Sequence, residues 1–417
     1  MIISDNGRTE MEQESATSSN IEWRKRNSRL ESLPPEIRRH PLSILDLPRL
    51  KQLVRASATF HGQYLFDRKY FLHRSIEETL GSATVDAYAV HQSTVLAGDT
   101  QQKTTWDLNS YLEQSKRRYL SLAEKNTQEE ATTMAAFYFH TVKPIAEHYA
   151  RWSRDNLATF VAEDSHSRQK GVIHILTDME TMRFTRAIYR FQVLCQAPGI
   201  NRDTRIRSIS RSMRSREGTV LAIIDVIEPW EIEELFSFYQ FAREFDDQRR
   251  PPTPDGAFDL DNSWDNYLEG TTLHGLSLLH TVLFKIKDYE HLVSTMQKYI
   301  NSSYIPFNAM EGTLGESEQY WRRTDRPSER DQRQEERAAF PFRGDIDEPD
   351  APPLAWTIIW YDTYSSLYGY YIPDEMRRWG YVFWDAATLE DNGGKRVLHK
   401  QWEELYDDCD PRYDLFC

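Results

Sequence analysis

The chain has 417 residues and a net charge of -14, from 65 acidic and 51 basic side chains. This excess of negative charge disfavours general attraction to nucleic acid or to anionic lipid. The polar amino terminus and the lack of a long apolar window predict neither a secretory signal nor a membrane span. The composition therefore favours a protein or a small molecule as the partner.

The three cysteines, Cys195, Cys409 and Cys417, match no disulfide or zinc framework in their spacing. A chain of this length with so few cysteines is typical of a reducing compartment. We therefore expect the protein to be cytoplasmic or nuclear.

The chain is expected to begin with a disordered tail and a small helical module. Residues 1–27 are polar and lack any period, which predicts a disordered tail. Residues 28–75 follow with helical spacing. Pro35 favours a first helix start, since proline is tolerated in the first turn, and Pro48 favours a second. Pro41 falls inside the first helix, which it should break or shorten.

Residues 33–60, LPPEIRRHPLSILDLPRLKQLVRASATF, resemble an F-box, the helical module that binds the Skp-type adaptor of cullin-based ubiquitin ligases. Residues 33–37 match its opening Leu-Pro-x-Glu-Ile, and residues 42–46 resemble its Leu-Ser-x-Leu and turn. Residues 50–60 supply the second apolar run, the serine and the closing aromatic. The resemblance implies a set of residues that face the adaptor or form the module core, namely Leu33, Pro34, Ile37, Leu42, Leu45, Leu50, Leu53 and Phe60.

The sequence pattern of residues 76–310 predicts an α-helical body. Pro144 should kink or divide one of its helices, and Thr177 with Glu180 fits a capping box at the start of another. A further helix is expected to start at Pro229. The arginine- and serine-rich stretch 199–218 is either a solvated connector or a docking patch that phosphorylation of Ser208 or Ser210 would modify.

The last part of the chain divides into a predicted polar loop with one fraying helix, residues 311–350, and an aromatic-rich segment, residues 351–417. Because aromatic side chains bury large areas, we expect the second segment to pack on the helical body. It is also similar to the tails of filamentous-fungal proteins that open with F-box-like sequences. No repeat of the leucine-rich, WD or kelch type follows the opening motif.

The chemistry of an enzyme is hard to locate in this sequence. The stretch GLSLL at 275–279 lacks the second glycine of a nucleophile elbow, and His140 and His148 do not form the HExxH pattern of zinc proteases. Asp246 and Asp247 lack the third acid that an aspartate-rich magnesium motif needs. We therefore expect no catalytic residue, no cofactor and no metal.

The sequence predicts a mainly α fold, with an F-box-like module, an irregular helical domain and an aromatic-rich tail. The first functional hypothesis is a non-catalytic subunit that binds a Skp-type adaptor and an unknown protein target, without nucleic acid or membrane. One alternative is an α-helical enzyme or small-ligand binder that uses dispersed groups such as His140, His148, Asp246 and Asp247. Another is a fungal protein with a degenerate F-box, for which Pro41 is the argument.

Overall fold

The computed structural model describes residues 29–98, 107–165, 175–196, 219–247, 271–300, 327–346, 348–406 and 410–412. In these residues the fold is mainly α-helical, which confirms the predicted class, and β structure is limited to one isolated antiparallel bridge, Ala339 to Thr363. The helices with both ends in the described residues are, in chain order, α1 (Pro35–Ile44), α2 (Leu47–Ala56), α3 (Ala58–Phe66), α4 (Arg68–Leu80), α5 (Thr84–Gly98), α6 (Leu108–Arg117), α7 (Leu122–Lys125), α8 (Gln128–Phe137), α9 (Lys143–Ser165), α10 (Asp178–Gln196), α11 (Pro229–Asp247), α12 (Leu276–Phe284), α13 (Tyr289–Ile300), α14 (Glu329–Glu335), α15 (Leu354–Ile359), α16 (Asp374–Arg378), α17 (Ala386–Asp391) and α18 (Gly394–Leu405).

The chain forms two compact units. The first contains the described residues up to Thr79 together with Ser121–Ala135. Residues 121–135, which the sequence assigns to the helical body, thus group with the opening module. The core of this unit comes from α1 to α4, which contribute the buried side chains Leu42, Leu50, Phe60 and Phe71.

Polar caps fix where the helices of the first unit begin. The carboxylate of Asp46 accepts the N–H of Arg49 at 2.7 Å and starts α2, just before Pro48. The hydroxyl of Ser57 accepts the N–H of Phe60 at 3.2 Å and starts α3. Each cap satisfies a backbone donor that has no partner inside the helix.

The expectation that Pro41 would break the first helix is wrong, because α1 runs through Pro41 to Ile44. Pro41 has no N–H, so the carbonyl of Ile37 loses its helical donor, and a proline inside a helix costs about 3 kcal/mol. The next residue, Leu42, is fully buried in the core. Burying a leucine stabilises by about 1.5–3 kcal/mol, so tertiary packing offsets much of the cost.

The second unit contains Leu80–Leu120 and the described residues from Ala136 onward. Its central helix is α10, in which every side chain from Met182 to Leu194 is buried. A helix enclosed on all sides belongs to the interior of a domain. It packs against α5, α9 and α11.

The aromatic-rich segment at the end of the chain completes the core of the second unit. The ring of Phe383 stacks on Phe184 of α10, with centroids 4.2 Å apart and planes 9° apart. Tyr149 of α9 contacts both rings edge to face, at 5.3 and 5.5 Å. Residues far apart in the chain thus share one aromatic cluster.

Local sequence signals account for several boundaries in the second unit. The hydroxyl of Thr177 accepts the N–H of Glu180 at 3.0 Å, and a carboxylate oxygen of Glu180 accepts the N–H of Thr177 at 3.1 Å, which is the capping box that the sequence predicted. The helix α11 starts at Pro229, as expected. A π-helical turn at Tyr138–Val142 separates α8 from α9 just before Pro144.

The predicted polar segment 311–350 contains one short helix in its described part. The helix α14 lies within it and starts at a capping box formed by Ser328 and Asp331. Arg330 in this helix donates to the carbonyl of Ile227 at 2.7 Å. The bond from Arg330 joins the described part of the segment to the rest of the second unit.

The predicted tail 1–27 and the stretch 199–218, with Ser208 and Ser210, lie outside the described residues. Among the helices that the structure does describe, none combines the length and the apolar character that a bilayer span requires.

Candidate functional site

Three of the eight residues predicted for partner binding form the interior of the first unit. Leu42, Leu50 and Phe60 are at most 4% exposed. Leu45 and Leu53 pack against this core from half-buried positions. These five side chains lie in or against the core that α1, α2 and α3 share, which is the module-core role that the resemblance implied as one of two possibilities.

The remaining three predicted residues lie at the start of α1. Leu33 is half-buried, whereas Pro34 and Ile37 are exposed. Ile37 and Ile44 are seven residues apart, which places them on the same face of a helix, and each is 54% exposed. The first helix therefore presents apolar side chains to solvent on a face other than the one that packs inward.

Sequence reasoning missed further exposed apolar side chains around α3. Leu65 is 54% exposed, and Phe66, the last residue of the helix, is 91% exposed. The signal was available, because the α3 sequence ATFHGQYLF is apolar around much of its circumference. A short helix that packs on one side cannot bury all of these positions.

Two polar contacts hold the end of α3 beside α1. The Nε2 amide of Gln63 donates to the carbonyl of Pro35 at 2.5 Å, and Arg39 forms an ion pair with Asp67 at 2.5 Å. The guanidinium of Arg39 also lies over the ring of Tyr70, 4.6 Å from its centroid. We refer to the exposed side chains on these two adjacent helices as the exposed apolar surface, which comprises Ile37, Ile44, Leu65 and Phe66.

The residues of the enzyme hypothesis do not meet in an assembled site within the described part of the chain. His140 is exposed on the π-helical turn, and His148 is half-buried, with its ring 5.9 Å from that of Phe284. Asp246 and Asp247 end α11, and their side chains lie outside the described residues. No cluster of three or more metal-ligating side chains occurs among the residues described.

In the described residues, a group of paired charges lies between α5, α10 and α11 of the second unit, and sequence reasoning missed it. Arg186, which has no exposed side-chain surface, donates to both carboxylate oxygens of Glu234, at 2.9 and 2.6 Å. Its Nη1 lies 3.1 Å from Glu231 and 2.7 Å from Asp350. The signal in the sequence was the helical spacing of three arginines, Arg183, Arg186 and Arg190, among the apolar residues of α10.

Further arginines complete this network. Arg118 donates to the two carboxylate oxygens of Glu231 at 3.2 and 3.1 Å, and Arg190 lies 3.4 Å from Glu231. Arg190 also lies 3.3 Å from Asp86, which accepts the hydroxyl of Tyr111 at 2.7 Å. Each carboxylate of the network therefore has a guanidinium partner.

Burial and pairing act in opposite directions on the pKa values of these acids. Burial alone would raise the pKa of Glu231, but Arg190, Arg118 and Arg186 outweigh burial and hold the pKa well below its usual range. For Asp86, burial is the larger effect and raises the pKa despite the pairing with Arg190. With its carboxylates engaged by arginines, the network acts as an internal scaffold of the second unit.

The chain matches no protein-family model, no curated protein and no solved structure. Its function must therefore be inferred from the side chains themselves.

Proposed function

We propose that the protein is an F-box-like, non-catalytic substrate-recognition subunit of a cullin-based ubiquitin ligase, which binds a Skp-type adaptor through residues 33–60. The observation that carries the proposal is the exposed apolar surface on α1 and α3. Within residues 33–60, Ile37 and Ile44 are each 54% exposed, and apolar groups left in water favour association with a partner.

Some residues of the F-box-like stretch are buried and others are exposed, and this difference supports the proposal. Leu42, Leu50 and Phe60 pack inward and position the helices. Pro34 and Ile37, which belong to the same F-box-like stretch, remain exposed and available for contact. If this stretch only formed the protein's own core, its apolar side chains would all be buried.

In this function the second unit holds a protein target while the module holds the adaptor. Ubiquitin transfer then depends on the effective concentration of the target at the ligase, and no side chain of this protein takes part in the chemistry. The proposed place of action is the cytoplasm or the nucleus, where such ligases work.

The test is co-purification of the full chain with a Skp-type adaptor. The variant Ile37→Ser with Ile44→Ser should lose the adaptor and keep its melting temperature, because both side chains are already exposed. The matched control is Leu405→Ser, which removes a side chain of similar exposure (50%) from the second unit and should leave binding unchanged.

Two results would overturn the proposal. One is a folded wild-type chain that captures no adaptor. The other is full retention of the adaptor by the Ile37→Ser, Ile44→Ser variant, since the exposed apolar surface would then have no part in binding.

A further inference from the structure

The corner where α3 meets α4 carries exposed apolar side chains that lie beyond the F-box-like stretch 33–60. Phe66, the last residue of α3, is 91% exposed, and Leu65 before it is 54% exposed. Tyr70, in the first turn of α4, is 37% exposed. Single exposed apolar residues are common on protein surfaces, but here three of six consecutive residues are exposed and apolar. We refer to Leu65, Phe66 and Tyr70 as the corner patch.

Contacts with α1 and α4 fix the backbone of this corner. Arg39 of α1 forms the ion pair with Asp67 at 2.5 Å, and its guanidinium lies 4.6 Å from the centroid of the Tyr70 ring. The carbonyl of Asp67 accepts the N–H of Phe71 at 3.2 Å. The ring of Tyr70 meets that of the buried Phe71 edge to face, at 5.4 Å. The corner patch is thus held in position before any partner arrives, which reduces the entropy lost on binding.

The part of the chain that presents the corner patch is basic. Residues 33–70 contain 7 basic and 3 acidic side chains, a net charge of +4 in a chain whose total is -14. Of the three acids only Glu36 is exposed, because Asp46 and Asp67 are partly buried in ion pairs. The exposed cations are Arg39, Arg49, Lys51, Arg55 and Lys69.

This charge selects among possible occupants of the corner patch. Lys69 lies between Phe66 and Tyr70 in the chain, so a positive charge accompanies the exposed rings. A partner with an acidic surface is attracted to such a patch, whereas a second copy of the chain would bring two positive surfaces together. Charge complementarity therefore favours an acidic protein partner.

We propose, on the basis of the adaptor binding proposed above, that the corner patch is a second contact point for the Skp-type adaptor, where Phe66 enters an apolar pocket bordered by acidic side chains. Aromatic side chains bury large areas and are enriched in the cores of protein interfaces. Acids at the rim of the pocket would pair with Lys69 and speed the encounter. The adaptor would thus bind more of the chain than the F-box-like stretch, which ends at Phe60.

The first test measures the affinity and the rates of binding between the full chain and a Skp-type adaptor by surface plasmon resonance. Phe66→Ser should lower the affinity by about 10- to 100-fold, the effect of losing one buried aromatic side chain, mainly through faster dissociation. Its melting temperature should not change, because Phe66 is 91% exposed. The matched control is Tyr119→Ser, which removes an aromatic side chain that is 70% exposed in the second unit and should leave the affinity unchanged.

The second test concerns the charge of the partner. Raising the ionic strength from about 0.01 M to about 1 M shortens the Debye length from about 30 to about 3 Å, and the association rate of the wild type should fall at least about tenfold. Lys69→Glu should slow association at low ionic strength by at least about threefold. Lys395→Glu reverses an exposed charge in the second unit and serves as the control.

The outcomes separate this inference from the proposed function. The inference alone is overturned if Ile37→Ser with Ile44→Ser loses the adaptor while Phe66→Ser binds it as tightly as the wild type, or if association does not depend on salt. It is also overturned if Phe66 is needed for binding to phosphatidylserine vesicles or for self-association and not for binding the adaptor. A folded wild-type chain that binds no adaptor at all overturns both.

Discussion

The ring of His280 donates a hydrogen bond to the backbone carbonyl of His140. In an uninterrupted α-helix this carbonyl would accept the N–H of residue 144, but that residue is Pro144 and has no N–H. The π-helical turn Tyr138–Val142 lies just before this proline, and His280 of α12 donates to the His140 carbonyl instead. A local defect in one helix is thus compensated by a side chain from another.

This relationship predicts that His280 and Pro144 are energetically coupled. His280→Phe retains a ring beside Phe284, whose centroid is 5.1 Å away, but leaves the His140 carbonyl without its donor. At this half-buried site we expect a loss of about 1 kcal/mol in the free energy of unfolding, measured by urea denaturation. In the Pro144→Ala background, His280→Phe should lower the free energy of unfolding by less, because residue 144 then has an N–H that can donate to the His140 carbonyl. Equal costs in the two backgrounds would show that no such coupling exists.

The buried network predicts a large penalty for removing a single charge. Arg186→Met leaves Glu231 and Glu234 short of their shared partner in the interior, and we expect a loss of about 3–5 kcal/mol in the free energy of unfolding. The matched control is Lys116→Met, which breaks the exposed pair with Glu113 at 3.6 Å and should cost at most about 1 kcal/mol. Chemical denaturation of both variants provides the comparison. Similar costs would mean that the network is not the scaffold of this unit.

Truncating two residues of α1 should change the free energy of unfolding by very different amounts. Leu42→Ala removes a fully buried side chain and should lower the free energy of unfolding by about 2–5 kcal/mol. Ile37→Ala removes a side chain that is 54% exposed and should change it by less than about 0.5 kcal/mol. Thermal denaturation followed by circular dichroism measures both. A large effect of Ile37→Ala would show that this residue packs inward and is not available to a partner.

A titrating carboxyl in the second unit predicts a dependence of stability on pH. Burial raises the pKa of Asp385 from its ordinary 3.8 to about 6, and the negative charges of Asp345 and Glu180 add to this effect. A hydrogen bond from Thr177 and the ion pair with Arg183 at 2.9 Å act in the opposite direction without reversing it. The folded protein consequently binds this proton more tightly than the unfolded chain does.

The sign of the effect follows from that difference in pKa. The contribution of Asp385 to stability is complete below about pH 4 and is lost as the pH rises through about 6. The free energy of unfolding of the wild type, minus that of Asp385→Asn, should therefore decrease between pH 4 and pH 6. Asp391→Asn, at an exposed position, controls for the loss of one negative charge. A difference that stays constant or grows over this range would contradict the raised pKa.

The sequence predicted the helix boundaries best where the determining interactions are local. Thr177 and Glu180 cap α10 through bonds that span three residues, and Pro229 starts α11 because a helix needs no N–H there. Such signals are complete within one turn of the chain. The mainly α class followed from the same kind of short-range pattern.

Pro41 shows why a local rule can fail. Within its own helix it removes a hydrogen bond, and on that basis a break was expected. The burial of Leu42 against α2, α3 and α4 offsets much of that loss, and it depends on residues that a helical pattern does not connect. For the same reason, the sequence pattern does not show which apolar residues of the opening motif are buried. Only packing determined that Leu42 is buried and Ile37 is exposed.

By itself, then, the sequence determined the helical class and the capping of individual helices, because each of these depends on neighbours along the chain. Tertiary structure alone decided which apolar side chains face solvent and which arginines meet which acids. Burial and pairing depend on distances in space, and those distances exist only once the helices have packed.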